Sequence, residues 1–249
     1  FDLSDVSSYE EAAERVDWTL PETFNMGTAV IDRHAEDRGR VALFWENVDG
    51  ANETWTYWQL HNRVNQFGNF LADLGLGEGD RVGVHLPQSP GVVIGHTGLW
   101  RAGAVSIPLP YMFEIDSLRY RLDDADARAL IVPAEKRETV APLLDEVDSL
   151  ESLFVVGEAG PDDRIRSLYD ELDRYGRDFD PVETTPSDTG AILYSSGSTG
   201  EPKGIVHGHS ILLGHLPGYH IIYNMDLEGV YYTPADWGYG GGLLGLVIP

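Results

Sequence analysis

The chain alternates between apolar positions with helical spacing and short apolar runs with the composition of β-strands. The clearest helix follows Thr56 and Gln59, which have the spacing of a capping box, and it stops at Gly75. Its apolar residues repeat with a helical period over about five turns, which predicts one buried face. Further helices are predicted at residues 28–37, 90–102, 115–124, 139–147 and from Ser210 onward, and strands at 41–45, 54–56, 81–86, 105–107, 129–132, 153–156, 191–193, 204–207 and 230–232.

Strands that alternate with helices predict an α/β fold of mostly parallel sheets flanked by helices. The acidic residues 1–24 are predicted to form an N-terminal arm, either extended or as a short helix. Residues 25–180 are assigned to a first α/β subdomain. Residues 181–249 are assigned to the start of a second, because the acids and prolines of 178–188 are typical of a connector. The almost wholly apolar residues 241–249 favour a truncation of this subdomain within a core.

The composition changes the expected surface. Asp and Glu number 41 against 17 Lys and Arg, a formal charge of −24, and Lys136 and Lys203 are the two lysines of the chain. At about 1 M salt the Debye length is roughly 3 Å, so the repulsion among these acids is largely screened. We therefore expect a protein from a halophile rather than an ordinary acidic protein. The same charge, without a basic stripe, argues against nucleic-acid binding.

Other features of the sequence indicate the cellular compartment and exclude several kinds of chemical site. The chain has no cysteine, which rules out disulfides, thiolate metal sites and a cysteine nucleophile. Its first residues lack the basic and apolar regions of a signal peptide, and no apolar run approaches the ~18 residues of a membrane helix. We therefore expect a cytoplasmic protein that is not inserted in a membrane. No metal site is predicted, because the spacing of His207, His209, His215 and His220 matches no zinc pattern.

The most informative chemistry lies in residues 194–204, Tyr-Ser-Ser-Gly-Ser-Thr-Gly-Glu-Pro-Lys-Gly, which follow an apolar run. Glycines allow a backbone to approach a ligand, and successive backbone N–H groups form a nest for anions. Serine and threonine hydroxyls add donors, and Lys203 adds a positive charge. We therefore expect a polyphosphate-binding loop rather than a flexible linker. It is not a Walker A loop, because Pro202 precedes the lysine and Gly204 follows it.

Residues 194–204 resemble the phosphate-binding signature of the AMP-forming adenylating enzymes at every position. This superfamily includes acyl-CoA synthetases and amino-acid-activating adenylation domains. Residues 99–109 and 118–131 are similar to two further family segments in the same order, and residues 233–239 resemble the Ala-Asp-x-Gly-aromatic turn of acetyl- and medium-chain acyl-CoA synthetases. The resemblance implies the first part of the N-terminal domain of that fold, about the first half of a synthetase.

The resemblance implies a ligase reaction in two steps. A carboxylate attacks the α-phosphate of ATP, pyrophosphate leaves, and the thiolate of CoA then attacks the acyl-adenylate, with Mg²⁺ neutralising phosphate charge. The family's later motifs are absent, so we expect this chain alone to be inactive. The resemblance assigns ATP binding to Ser195, Ser196, Gly197, Ser198, Thr199, Gly200 and Lys203, with Thr199 and Lys203 also acting in catalysis.

The same resemblance assigns binding of the carboxylic acid substrate to residues of the 233–239 motif and to the two residues that follow it. These are Asp236, Trp237, Tyr239, Gly240 and Gly241. The two neighbouring glycines stand where the acetate enzymes carry side chains, which predicts a roomier pocket and an acid longer than acetate, as in fatty acid metabolism. The alternative is a glycine-rich turn required only for tight packing, and the sequence leaves it open.

Two other functions stay open at this point. One is an amino-acid-activating adenylation domain, against which the turn at 235–238 argues. The other is a truncated, non-catalytic remnant that binds nucleotide or merely folds. The expected partners of the leading function are a small carboxylic acid, ATP and CoA. The sequence does not give the oligomeric state, so a homo-oligomer also stays open.

Overall fold

The computed structural model describes residues 6–15, 19–195, 200–218 and 229–244. Its N-terminal part consists of two helices and a hairpin. Helix α1 (Tyr9–Arg15) buries none of its residues, whereas α2 (Met26–Ala35) buries one face. Strands β1 (Val41–Glu46) and β2 (Asn52–Thr56) then pair as an antiparallel hairpin.

Seven strands of the described residues form one central sheet, in the order β7-β6-β5-β3-β4-β8-β9. Every neighbouring pair is parallel except β8 and β9, which are antiparallel at one edge. The middle strands are almost wholly buried, as expected for a parallel sheet with helices on both faces. The strands are β3 (Arg81–Val84), β4 (Val105–Pro108), β5 (Ala129–Pro133), β6 (Ser152–Val156), β7 (Ile165–Ser167), β8 (Thr189–Ser195) and β9 (Lys203–Gly208).

Helices cover both faces of this sheet. On one face α3 (Tyr57–Asp73) and α4 (Pro90–Arg101) pack with α2 around a core that includes Trp100. On the other face α5 (Ile115–Asp124) contributes Leu118 and Leu122 to a second core. The remaining helices are α6 (Arg137–Val140), α7 (Leu143–Glu146), α8 (Leu168–Leu172), α9 (Ser210–Gly218) and α10 (Gly240–Gly242), with a 3₁₀ turn at Ala134–Lys136.

The α/β class and the largely parallel, buried sheet are confirmed. The capping box is present, because Thr56 Oγ1 accepts from the N–H of Gln59 at 3.2 Å and Gln59 Oε1 accepts from the N–H of Thr56 at 2.8 Å. Helix α5 has the bounds that its sequence pattern predicts. The division at residue 180 stays a prediction.

Two expectations for elements are wrong, and two short elements were not predicted. Residues 139–147 do not form one helix, since Pro142 offers no N–H to continue α6, and α7 begins after it. Residues 230–232 form no strand and lie exposed, despite a composition typical of strands. Strand β7 and helix α8, of three and five residues, are too short to show a period in the sequence.

Candidate functional site

The carboxyl ends of the middle strands β3, β4 and β5 are the first candidate for a binding site. The chain leaves β3 through α4 on one face of the sheet and leaves β4 through α5 on the other. The strand order reverses at β3, because β4 and β5 follow it in the chain and lie on either side of it, and doubly wound proteins bind ligands at the carboxyl edge of such a point. At this edge the ring of His85 stacks on that of Tyr111 at 5.9 Å, and Lys136 Nζ lies 5.0 Å from the Tyr111 ring.

Residues 235–242 are called the 235–242 segment from here on. They lie against the residues that follow β3 and β4. Gly238 packs so closely on Pro110 that a Cβ at Gly238 would lie 2.3 Å from Pro110 Cα. Gln88, which follows β3, donates from Nε2 to the carbonyl oxygen of Ala235. The segment is therefore fixed to the residues that follow both β3 and β4.

The predicted acid-binding side chains of this segment have different surroundings. Asp236 Oδ1 accepts from the N–H of Gly238 at 2.7 Å, so this carboxylate stabilises the turn. Trp237 is 8% exposed, and its indole N–H has no partner among the described residues. Tyr239 is 47% exposed and packs edge-on against Phe113 at 6.4 Å. Asp236 thus has a structural contact, and the hydroxyl of Tyr239 donates to Sδ of Met112 at 3.7 Å, while Trp237 keeps a polar group for another partner.

The two glycines of the predicted pocket also differ. A Cβ at Gly240 would lie 2.8 Å from Cδ1 of Leu193. A Cβ at Gly241 would meet no described atom within 4 Å. A side chain at Gly240 would therefore displace the end of the Leu193 side chain, whereas Gly241 is exposed and open space adjoins it.

The predicted phosphate loop connects β8 to β9 at the same edge of the sheet. Strand β8 ends at Ser195, which is paired with Lys203 at the start of β9, and Ser195 Oγ lies 3.5 Å from the Lys203 carbonyl oxygen. Gly200 and Lys203 are exposed. The hairpin therefore fixes both ends of the loop. The other predicted phosphate ligands, Ser196, Gly197, Ser198 and Thr199, lie outside the described residues.

Helix α5 holds both ends of this loop in place. The hydroxyl of Tyr194 donates to Asp124 Oδ2 at 2.7 Å and lies 3.1 Å from the carbonyl oxygen of Arg121. The hydroxyl of Tyr120 donates to the carbonyl oxygen of Pro202 at 2.8 Å. Burial, and next the bond to Asp124, raise the pKa of Tyr194, so its hydroxyl stays a donor.

Sequence reasoning missed these bracing residues. Asp124 belongs to the acidic run 123–126, and its contact with Tyr194 joins residues 70 apart in the chain. The available signal was that Tyr120 and Asp124 lie within residues 118–131, which resemble a family segment. That resemblance gave them no role.

His209 lies directly behind β9 and has a structural contact with α2. Its side chain is fully buried, and its Nδ1 accepts from the N–H of Met26 at 3.1 Å. Burial lowers the pKa of His209 to about 4, so the imidazole is neutral at pH 7. Among the residues with described positions, no group of three or more His, Asp or Glu side chains could hold a metal ion.

This buried histidine predicts a loss of stability in acid. Between pH 6.5 and about 4 the unfolded state binds a proton that the folded state does not, so the free energy of unfolding falls as the pH falls. The difference corresponds to about 3 kcal/mol at most. Urea unfolding at pH 7 and pH 4.5 should show a smaller loss for His209→Asn, which keeps an acceptor and does not titrate. An equal loss in both proteins would contradict this assignment.

No helix within the described ranges is long and apolar enough to cross a membrane.

The architecture is that of a doubly wound α/β domain. Residues 31–248 match the family model of AMP-binding enzymes, and the chain belongs to this family.

Its relatives are acid–CoA ligases. The chain is 33% identical to acetyl-coenzyme A synthetases of Gemmatimonas aurantiaca and Pasteurella multocida, over 90% and 89% of its own length. It covers 38% and 37% of those two proteins.

Two solved structures share its fold. An acyl-CoA synthetase of Brucella canis matches 98% of this chain with a TM-score of 0.87 at 23% identity, and the match covers 46% of that protein. An anthranilate CoA ligase in complex with anthranoyl-AMP matches 92% of this chain with a TM-score of 0.77 at 27% identity, over 44% of that ligase.

Proposed function

We propose that the complete protein is an AMP-forming acid–CoA ligase. The observation that carries this proposal is that the hairpin of the phosphate loop and the 235–242 segment lie at one edge of one sheet. This edge is the carboxyl end of the parallel strands, where doubly wound proteins bind ligands. Membership of the AMP-binding family and the acetyl-coenzyme A synthetase relatives support it.

The first step joins two anions, so positioning and charge stabilisation dominate its barrier. A carboxylate oxygen bonds to the α-phosphorus of ATP, and the bond to the pyrophosphate oxygen breaks. In the second step the CoA thiolate bonds to the acyl carbon, and AMP leaves. We assign the phosphates to residues 195–200 and Lys203, through backbone N–H groups, hydroxyls and the ammonium group.

Mg²⁺ would supply charge neutralisation at the phosphates in this reaction. Mg²⁺ at nucleotide sites is usually held by phosphate oxygens, waters and one or two carboxylates, and the described residues contain no group of three acidic or histidine side chains that could hold an ion without the phosphates. What this part of the chain contributes is the orientation of the phosphates and of the acid.

For the acid, we propose a substrate longer than acetate. Gly241 supports this proposal, since a side chain there would enter space that no described atom fills. Gly241→Val should therefore shift the preference toward shorter acids, with about a tenfold lower kcat/KM for C6 and C8 acids. One or two methylene groups in an apolar pocket account for an effect of this size. Acetate, measured with the same variant, is the internal control, and an unchanged C6-to-acetate ratio would contradict the pocket assignment.

The function itself is tested by ATP–pyrophosphate exchange on the complete protein with a panel of carboxylic and amino acids. Exchange that depends on a carboxylic acid, followed by thioester formation with CoA, is the expected result. Exchange that depends on amino acids alone would favour the amino-acid-activating alternative. The absence of exchange with every acid would favour a non-catalytic nucleotide-binding remnant.

We further propose that the protein works in a salty cytoplasm. The charge of −24 and the presence of only two lysines support this, because high salt screens repulsion among exposed acids. The exchange assay should therefore be run at about 1 M salt as well as at low salt. A homo-oligomer stays a prediction.

A further inference from the structure

Arg121 is a buried arginine between the two parts of the proposed site. Arg121 is only 6% exposed and lies in the last turn of α5. The guanidinium carbon lies 4.3 Å from the ring centroid of Phe113 and 5.5 Å from that of Tyr194. Tyr194 leads into the phosphate loop, and Phe113 packs on Tyr239 of the 235–242 segment. The guanidinium group therefore links the phosphate loop, through Tyr194, to the 235–242 segment, through Phe113.

No ion pair compensates this charge within the described part of the chain. Arg121 Nη1 donates to the carbonyl oxygen of Ser117 at 2.8 Å, whereas Nε is buried without a partner. Arg119 on the same helix, by contrast, pairs with Asp116 and Glu146. An unpaired buried cation is therefore unusual in a protein with 41 acidic residues.

Stability alone does not explain an arginine at this position. Burying a charge without a partner is costly, and burial lowers the pKa of Arg121 in accordance with this. Replacing buried charges by apolar side chains of similar volume is often neutral or stabilising. What arginine adds is a planar group that stacks on aromatic rings and fixes their separation.

We propose that Arg121 is a positioning residue that couples ATP binding at the phosphate loop to acid binding at the 235–242 segment. The inference rests on the proposed function. The guanidinium group holds Tyr194 and Phe113 at fixed separations, and Phe113 orients Tyr239. ATP bound at the phosphate loop thus favours the arrangement of the 235–242 segment that binds the acid. The bound acid in turn favours ATP binding to the same extent.

The test compares Arg121→Met with Arg119→Met in the complete protein. Arg119 is an exposed arginine of the same helix, so its variant controls for the loss of one positive charge. The KM for the acid is measured by pyrophosphate exchange at saturating and at low ATP, together with the melting temperature. We expect Arg121→Met to melt no lower than the wild type, to raise the acid KM about tenfold at low ATP, and to lose most of the dependence of that KM on ATP. Arg119→Met should keep wild-type values.

Each outcome is decisive. Arg121→Met with unchanged coupling between ATP and acid would overturn the inference while leaving the function intact. If that variant does not fold, Arg121→Lys decides, because it keeps the charge and lacks the planar group, and full coupling in it would overturn the inference. A wild type without exchange for any acid would overturn the proposed function and this inference together.

Discussion

Gly238→Ala is expected to lower acid-dependent pyrophosphate exchange of the complete protein by about a hundredfold or more. A Cβ at this position would lie 2.3 Å from Cα and 2.4 Å from N of Pro110. These are backbone atoms, and the preceding Leu109 donates its N–H to the carbonyl oxygen of Val84 at 2.9 Å. The sheet therefore cannot yield, and the 235–242 segment has to move. A displacement of about 1 Å in a positioned group can cost about a hundredfold in rate.

The same substitution should destabilise the protein by roughly 1–3 kcal/mol, the usual cost of overpacking. Gly176→Ala is the matched control, since a Cβ there would meet no described atom within 4 Å and the residue lies beside α3, where its carbonyl oxygen accepts from Asn69. Kinetics and urea unfolding of the two variants check both effects. Unchanged kcat and acid KM in Gly238→Ala would show that the segment does not position the acid.

The helices and strands that were predicted best are those whose signals lie in neighbouring residues of the sequence. The capping box at Thr56 and the helical period of the apolar residues that follow it identify α3 from neighbouring residues alone. Where elements depend on partners, the sequence was less informative. Residues 230–232 have aromatic and β-branched side chains, yet no neighbouring strand in the described ranges pairs with them. The prediction of a single helix at 139–147 did not take account of Pro142, which separates α6 from α7.

The candidate site likewise has a part that neighbouring residues predict and a part that depends on distant contacts. The phosphate loop could be predicted because its chemistry is contiguous in the sequence. Its bracing by Tyr120, Arg121 and Asp124 could not, because it depends on β8 pairing with β4 and thereby reaching α5. Contacts between residues 70 or more apart follow from strand order, which spacing along the chain does not encode.

Thr199→Ala is expected to slow adenylation by about ten- to a hundredfold. A hydrogen bond to a charged group contributes about 1.5–3 kcal/mol, and each 1.36 kcal/mol corresponds to about a tenfold change in rate. The strands that flank the loop should not respond, because Ser195 and Lys203 are paired in the hairpin and Tyr194 is bonded to α5. The loss should therefore appear in kcat for pyrophosphate exchange, with an unchanged melting temperature.

Glu201→Gln is the matched control for this variant. Glu201 lies in the same loop and is exposed, so it is expected to point away from the phosphates. Removing its negative charge should leave exchange unchanged or raise it slightly, because a carboxylate near phosphates repels them. If Thr199→Ala kept wild-type exchange while Glu201→Gln lost it, the hydroxyl groups of the loop would not be the phosphate ligands. Equal losses in both would point to a general disturbance of the loop rather than to the Thr199 hydroxyl.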